Sequence, residues 1–202
     1  LVLMEDGRVV ALLELEDERS RVRLVPDLGG AIADMDAKLS GRLAPVLRRW
    51  DGPQTGWIGV GSNILVPFSN RISGGGFYFD QGGSATFHPL HPNVENLDPF
   101  PLHGDGLLKS WQVVSHSSTD VILRLVNGEI GDFLYTAEVR YLLSSGTLNI
   151  TLRVTNKGIR LPFGGGFHPW LPRYSDTRLQ FNAEAVWLED NLHLPTEQIA
   201  LK

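Results

Sequence analysis

Leu148-Asn149-Ile150-Thr151-Leu152-Arg153-Val154-Thr155-Asn156 alternates apolar and polar side chains without a break. A period of two projects Leu148, Ile150, Leu152 and Val154 to one face and the polar residues to the other, the pattern of a half-buried strand. Upstream, Tyr135 to Leu143 behaves similarly, with the hairpin signal Ser145-Gly146 between the two runs. Val121 to Val126 comes before that, followed by Asn127-Gly128, a second turn signal. Trp111 to Ser115, Arg21 to Val25 and Val9 to Leu15 extend the pattern towards the N-terminus, while helix-period stretches with caps are hard to find. These runs predict an all-β chain of many antiparallel strands, with residues 1–202 as one domain. A large antiparallel β-sandwich would put its loops and one concave sheet face around a ligand.

Composition narrows the possible partners. With 42% apolar and 20% charged residues, a chain of 202 residues has the make-up of a soluble globular protein with a sizeable core. A formal charge of -5 leaves no cationic surface of the kind a phosphate backbone demands, so nucleic acid is not an expected partner. The absence of Cys excludes disulfides, thiolate catalysis and a Cys-ligated metal, and the cytoplasm is the expected compartment. The opening Leu1-Val2-Leu3-Met4 runs at once into Glu5, Asp6 and Arg8, so it is neither a signal-peptide core nor a membrane span, and no later stretch is one. No membrane partner is expected. The chain does not start with Met, and Leu194 to Lys202 lacks the character of a terminal tail; the expectation is a chain clipped at both ends.

The connections hold the residues with chemistry. Asn70-Arg71 follows Leu65-Val66-Pro67-Phe68-Ser69 and precedes Ile72-Ser73-Gly74-Gly75-Gly76-Phe77. An always-charged fork of five donors beside an amide with two donors and an acceptor can grip vicinal hydroxyls of a neutral sugar, although Asn-Arg in a loop is also the make-up of a solvated turn. Gly74 to Gly76 would allow a sharp turn into a strand at Phe77-Tyr78-Phe79. The segment from His88 to Pro101 contains Pro89, Pro92, Pro99 and Pro101, and a loop of that length reads as a functional surface. It leads to Leu102-His103-Gly104, which would project His103 from the loop; a structural histidine is the alternative.

His168 lies in Phe163-Gly164-Gly165-Gly166-Phe167-His168-Pro169-Trp170. The three glycines would let backbone come close where side chains would obstruct a ligand, and an imidazole can donate a proton near neutral pH. The alternative is a histidine hydrogen-bonded at a strand end. Trp170 offers an indole face to the apolar side of a pyranose, with core packing as the competing role for any Trp here. His88 and His91 have no third ligand at a sensible spacing, so no metal is expected. His116 and His193 read as surface residues.

Taken together, Leu65 to Phe77, Pro101-Leu102-His103-Gly104 and Phe163 to Trp170 resemble the sugar-contacting stretches of the aldose 1-epimerase (galactose mutarotase) family. Val25-Pro26-Asp27-Leu28-Gly29-Gly30 and Leu194-Pro195-Thr196 are similar to further family stretches, the former a turn between strands. The resemblance implies the family's galactose mutarotase-like β-supersandwich and its reaction, interconversion of the α and β anomers of a free aldose, with no cofactor. It makes His168 the general acid at the ring oxygen, with Asn70, Arg71, His103 and Trp170 binding the hexose. The family's base is a Glu further towards the C-terminus, with a sugar-binding Asp before it, and neither maps onto these 202 residues. Glu184, Glu189 and Glu197 do not carry the base's motif. The expected fold is therefore incomplete at the C-terminus, with unpaired sheet edge and an open apolar face. The rival function is a carbohydrate-binding or sugar-sensing module, and the third a β-sandwich used for protein contacts. No motif assigns the preferred aldose, a phosphorylated sugar or an oligomeric state.

Overall fold

The computed structural model describes residues 2–3, 9–80, 82–94 and 97–201. Met4 to Arg8, the stretch that ends the opening apolar run, and Lys202 lie outside the described residues. Two compact units form, Leu1–Pro172 and Arg173–Lys202.

In the first unit the strands run, in chain order, β1 (Val2–Leu3), β2 (Val9–Val10), β3 (Leu13–Glu16), β4 (Ser20–Val25), β5 (Ala31–Leu39), β6 (Arg42–Pro45), β7 (Ser62–Leu65), β8 (Gly76–Asp80), β9 (Ala85–Pro89), β10 (Gln112–His116), β11 (Asp120–Ile130), β12 (Phe133–Ser144), β13 (Thr147–Asn156) and β14 (Gly166–Pro169). One sheet has the order β14-β7-β5-β4-β3 with β6 also paired to β5, and a second has the order β10-β11-β12-β13. β1-β2 and β8-β9 are separate hairpins. The second unit contains one hairpin of β15 (Ala185–Glu189) and β16 (Pro195–Ala200). Every strand pairing is antiparallel. The all-β reading holds, and no described helix is long and apolar enough to cross a membrane.

The two larger sheets bury one shared core. Leu15, Val22, Leu24, Ile32 and Ile64 come from the first sheet, and Val121, Leu123, Leu125, Phe133, Tyr135, Ala137, Val139, Tyr141 and Leu143 from the second. On β12 every second residue from Phe133 to Leu143 is buried, so the period of two decides which side chains enter the core. β13 keeps the half-buried character its alternation predicts: Leu148, Ile150, Leu152 and Val154 are half-buried and pack against that core.

The strand ends differ from expectation in one instructive place. Asn127-Gly128 is not a hairpin turn; β11 continues through it to Ile130, with a register shift between Leu125 and Gly128. Gly128 sits opposite Tyr135, and a Cβ there would lie 2.4 Å from the Tyr135 ring. The glycine is a seat for an aromatic side chain at an irregularity in the ladder, not a turn residue. Ser145-Gly146 does form the turn between β12 and β13, Gly29-Gly30 the turn between β4 and β5, and Phe77-Tyr78-Phe79 lies in β8.

Tyr135 uses that seat to join the second sheet to the segment that bears the candidate site. Its hydroxyl donates to Asp105 Oδ1 at 2.6 Å and lies 3.2 Å from the Val66 carbonyl oxygen. Asp105 Oδ2 accepts the Glu129 N–H at 2.8 Å and faces Lys109 Nζ at 2.9 Å. Burial and the Asp105 carboxylate push the Tyr135 hydroxyl well above the ordinary tyrosine range, so it stays a donor. Tyr135→Phe leaves a buried carboxylate oxygen short of a partner. The expected cost is about 1–3 kcal/mol, measured as a lower denaturant midpoint with an unchanged slope.

Candidate active site

Four segments of the first unit enclose a cavity of about 410 Å³, within the usual size range for small-molecule sites. β7 and β14 pair at the end of the first sheet, with His168 opposite Asn63. A 3-10 segment, Pro53–Ile58, supplies Trp57 and Ile58. The chain after β7 supplies Asn70 and Arg71, and the Pro-rich connection supplies Leu97, Leu102 and His103. Asn70, Arg71, His103, His168 and Trp170 all line this one cavity.

Asn70 and His103 sit at matching left-handed turns, with φ of 59° and 61°. The His103 N–H donates to the Asn70 carbonyl oxygen at 2.9 Å, and the Asn70 N–H donates to His103 Nδ1 at 3.0 Å. Arg71 forms a β-bridge with Leu102, so the two loops are stitched at adjacent positions. Asn93 braces the second loop: its Nδ2 donates to the carbonyls of Leu102 and Gly104 at 3.0 and 2.6 Å, and its Oδ1 accepts the Leu102 N–H at 2.7 Å. Gly104 is required here, with φ of 70° and a would-be Cβ only 2.0 Å from the Val66 carbonyl oxygen.

The charges in this corner balance. Arg71 Nε donates to Asp98 Oδ2 at 2.7 Å, and the two side chains are only 18% and 5% exposed. Asp98 Oδ1 also accepts the Phe100 N–H at 3.0 Å. His103 must keep Nδ1 unprotonated to accept from Asn70, which leaves Nε2–H as its polar hydrogen. Burial, then the neighbouring His168 and Arg71, push the His103 imidazole down to about 4 against the pull of Asp98. The arrangement presents neutral hydrogen-bonding groups and one compensated cation, which suits an uncharged polar ligand.

This makes a prediction about acid stability. The unfolded chain takes up a proton on His103 near 6.5 and the folded chain only near 4, so folding favours the neutral ring. The contribution of His103 is complete above 6.5 and is lost as pH falls towards 4. His103→Asn should flatten the fall in melting temperature over that interval, as measured by thermal melts at stepped pH.

His168 reaches the cavity through the alternation of β14. His168 and Trp170 point to the cavity side, and Phe167 packs against the core on the other. The His168 ring is stacked on Trp170 at 4.8 Å between centroids and meets the His103 ring edge-on at 5.4 Å. Arg48 lies over the Trp170 ring at 4.5 Å and donates to the Val60 carbonyl at 2.8 Å. Trp170 therefore already stacks within the protein, while its 39% exposure leaves part of it as cavity wall.

The three glycines before His168 have a different setting from the expected one. Gly164 to Gly166 line a separate apolar hollow with Leu152, Val154, Phe163 and Phe167. None of the three is in the left-handed region, and a Cβ on Gly166 would meet open space. Three residues that the sequence reading passed over also belong to the site: Trp57 and Asn63 in the walls, and Asp98 behind Arg71. Asn63 carried no motif in the sequence; only the structure shows it as a polar residue in β7, whose four residues are all buried. His88 is elsewhere, stacked on Phe77 with its Nδ1 2.8 Å from Asp132 Oδ2.

Known proteins carry the same framework. The family model for aldose 1-epimerase matches residues 11–201. An uncharacterised protein of Escherichia coli strain K12, YphB, is 44% identical over 126 residues, which cover 62% of this chain and 41% of that protein. A crystal structure of a putative aldose 1-epimerase from Escherichia coli K12 superposes with a TM-score of 0.84 at 33% identity, over 96% of this chain and 63% of that one. A GalM/aldose epimerase homologue from Caenorhabditis elegans shares the fold, with a TM-score of 0.71 at 18% identity over 95% of this chain and 62% of that one. The chain thus spans less than two thirds of the length of these relatives. With the match running through nearly every described strand and across all the walls of the cavity, the chain belongs to the aldose 1-epimerase family.

Proposed function

We propose that this chain provides the sugar grip and the proton donor of an aldose 1-epimerase that interconverts the α and β anomers of a free aldohexose in the cytoplasm. The observation that supports this reading is the convergence of Arg71, His103 and His168, from three separate segments, on one hexose-sized cavity. Arg71 and the Nε2–H of His103 are donors for ring hydroxyls, and Asn70 adds an amide. His168 gives its proton to the ring oxygen as a base takes the proton of the C1 hydroxyl. The C1–ring oxygen bond then breaks to leave an open-chain aldehyde. Rotation about C1–C2 and closure by the reverse transfers give the other anomer and restore the imidazolium. Proton transfers alone balance the reaction.

We assign the base to none of these residues. No carboxylate lines the described walls of the cavity. That observation favours a second reading, a carbohydrate-binding module with little turnover. Polarimetry on freshly dissolved α-glucose and α-galactose separates the two. Accelerated mutarotation supports the epimerase; sugar binding by calorimetry without acceleration supports the module. Neither binding nor acceleration overturns both.

A further inference from the structure

Two buried polar atoms in this site have no hydrogen-bond partner among the described residues: Nδ1 of His168 and Oδ1 of Asn63. Both are out of contact with solvent, so a ligand in the cavity does not reach them as they stand, and an unpaired buried polar atom is costly. They belong to residues that face each other directly in the β14–β7 ladder. Side chains of such a pair leave the sheet on the same face with Cβ atoms about 4.5–5.5 Å apart. Each orphaned atom is two bonds from its own Cβ, a reach comparable to the spacing of facing positions in a ladder. Their chemistry is complementary, because an amide oxygen only accepts whereas Nδ1 can carry a proton. The orientation of the amide is set from its other end, where Asn63 Nδ2 donates to the Trp57 carbonyl oxygen at 3.1 Å; only the NH₂ can do that, which leaves Oδ1 for His168.

We propose that Asn63 is the positioning residue of His168, accepting its Nδ1–H so that Nε2 is the nitrogen that exchanges a proton with the ligand. The two histidines of the cavity then hold opposite tautomers. His103 accepts at Nδ1 from the Asn70 backbone and presents Nε2–H, a fixed donor. His168 donates at Nδ1 and presents an Nε2 that gains and loses its proton. A ligand oxygen between them meets one ring that only binds and one that transfers. Through Trp57, the same amide ties the position of the acid to a wall of the cavity.

The role in proton transfer rests on the epimerase reading; the pairing itself does not, and the experiment keeps them apart. Long-range proton–nitrogen correlation spectra of the uniformly ¹⁵N-labelled protein report which nitrogen of each ring is protonated, with the His168 signals assigned by their absence from His168→Asn. At a pH where the ring is neutral, the expected spectrum has the proton on Nδ1 of His168 and on Nε2 of His103. Asn63→Leu, of similar volume but without an acceptor, should abolish the Nδ1–H preference, and Asn63→Asp should keep it. A neutral His168 protonated at Nε2 in the unaltered protein overturns the proposal. So does an unchanged tautomer in Asn63→Leu; if that variant does not fold, the spectra of the unaltered protein and of Asn63→Asp decide. Where the protein turns over sugar, Asn63→Leu should lower kcat at least about tenfold, with KM within about twofold. Absence of turnover in the unaltered protein counts against the function and leaves the spectra to judge the pairing.

Discussion

His168→Asn should lower the rate of α-glucose or α-galactose mutarotation by about 10²–10⁴-fold while sugar still binds. Asn lacks a titratable nitrogen, so it removes proton transfer to the ring oxygen but keeps a polar side chain of similar reach. Arg71 and His103 are held by contacts independent of His168, the former by Asp98 and the latter by Asn70, so the grip should survive. The measurement is polarimetry beside calorimetric titration with the same sugar. A drop in both rate and affinity by the same factor would make His168 a binding residue; an unchanged rate would remove it from the chemistry.

Arg71→Ala should be the most destabilising change in the site. Asp98 is 5% exposed, and Arg71 is its ion-pair partner at 2.7 Å. Deleting one member of a buried pair leaves the other charge uncompensated, at about 3–5 kcal/mol. Only part of that should return in Arg71→Lys, since an ammonium cannot reproduce the fork that contacts Asp98 while leaving donors for a ligand. The checks are urea denaturation and calorimetric sugar titration, and both stability and affinity should fall. A β-sandwich used only for protein contacts would have no sugar affinity to lose, so binding that is absent in the unaltered protein would favour that third reading.

How much of this could be read from the sequence follows from what each signal encodes. Alternation reports which side chains leave which face of a strand, and it identified β12 and β13 because every second residue there enters one core. It failed at Asn127-Gly128, where the glycine answers the bulk of Tyr135 from a neighbouring strand, a tertiary cause with no local signature. Asn70, Arg71, His103 and His168 stand out in the sequence because they are embedded in spaced motifs, and the structure has all four lining one cavity. Trp57 and Asp98 were not, since nothing near either in the chain indicates that it will meet the cavity or Arg71. The glycines before His168 suggest clearance for a ligand, whereas the structure has them lining a separate apolar hollow with Leu152, Val154, Phe163 and Phe167. Nothing in the run of glycines itself indicates which hollow it will line.

The reciprocal bonds between Asn70 and His103, with Asn93 bracing the second loop, carry a thermodynamic consequence. Most of the conformational entropy of these loops is surrendered during folding, before any guest arrives. A hexose entering the cleft would meet a preorganised clamp, and little of its contact energy would be diverted into ordering the host.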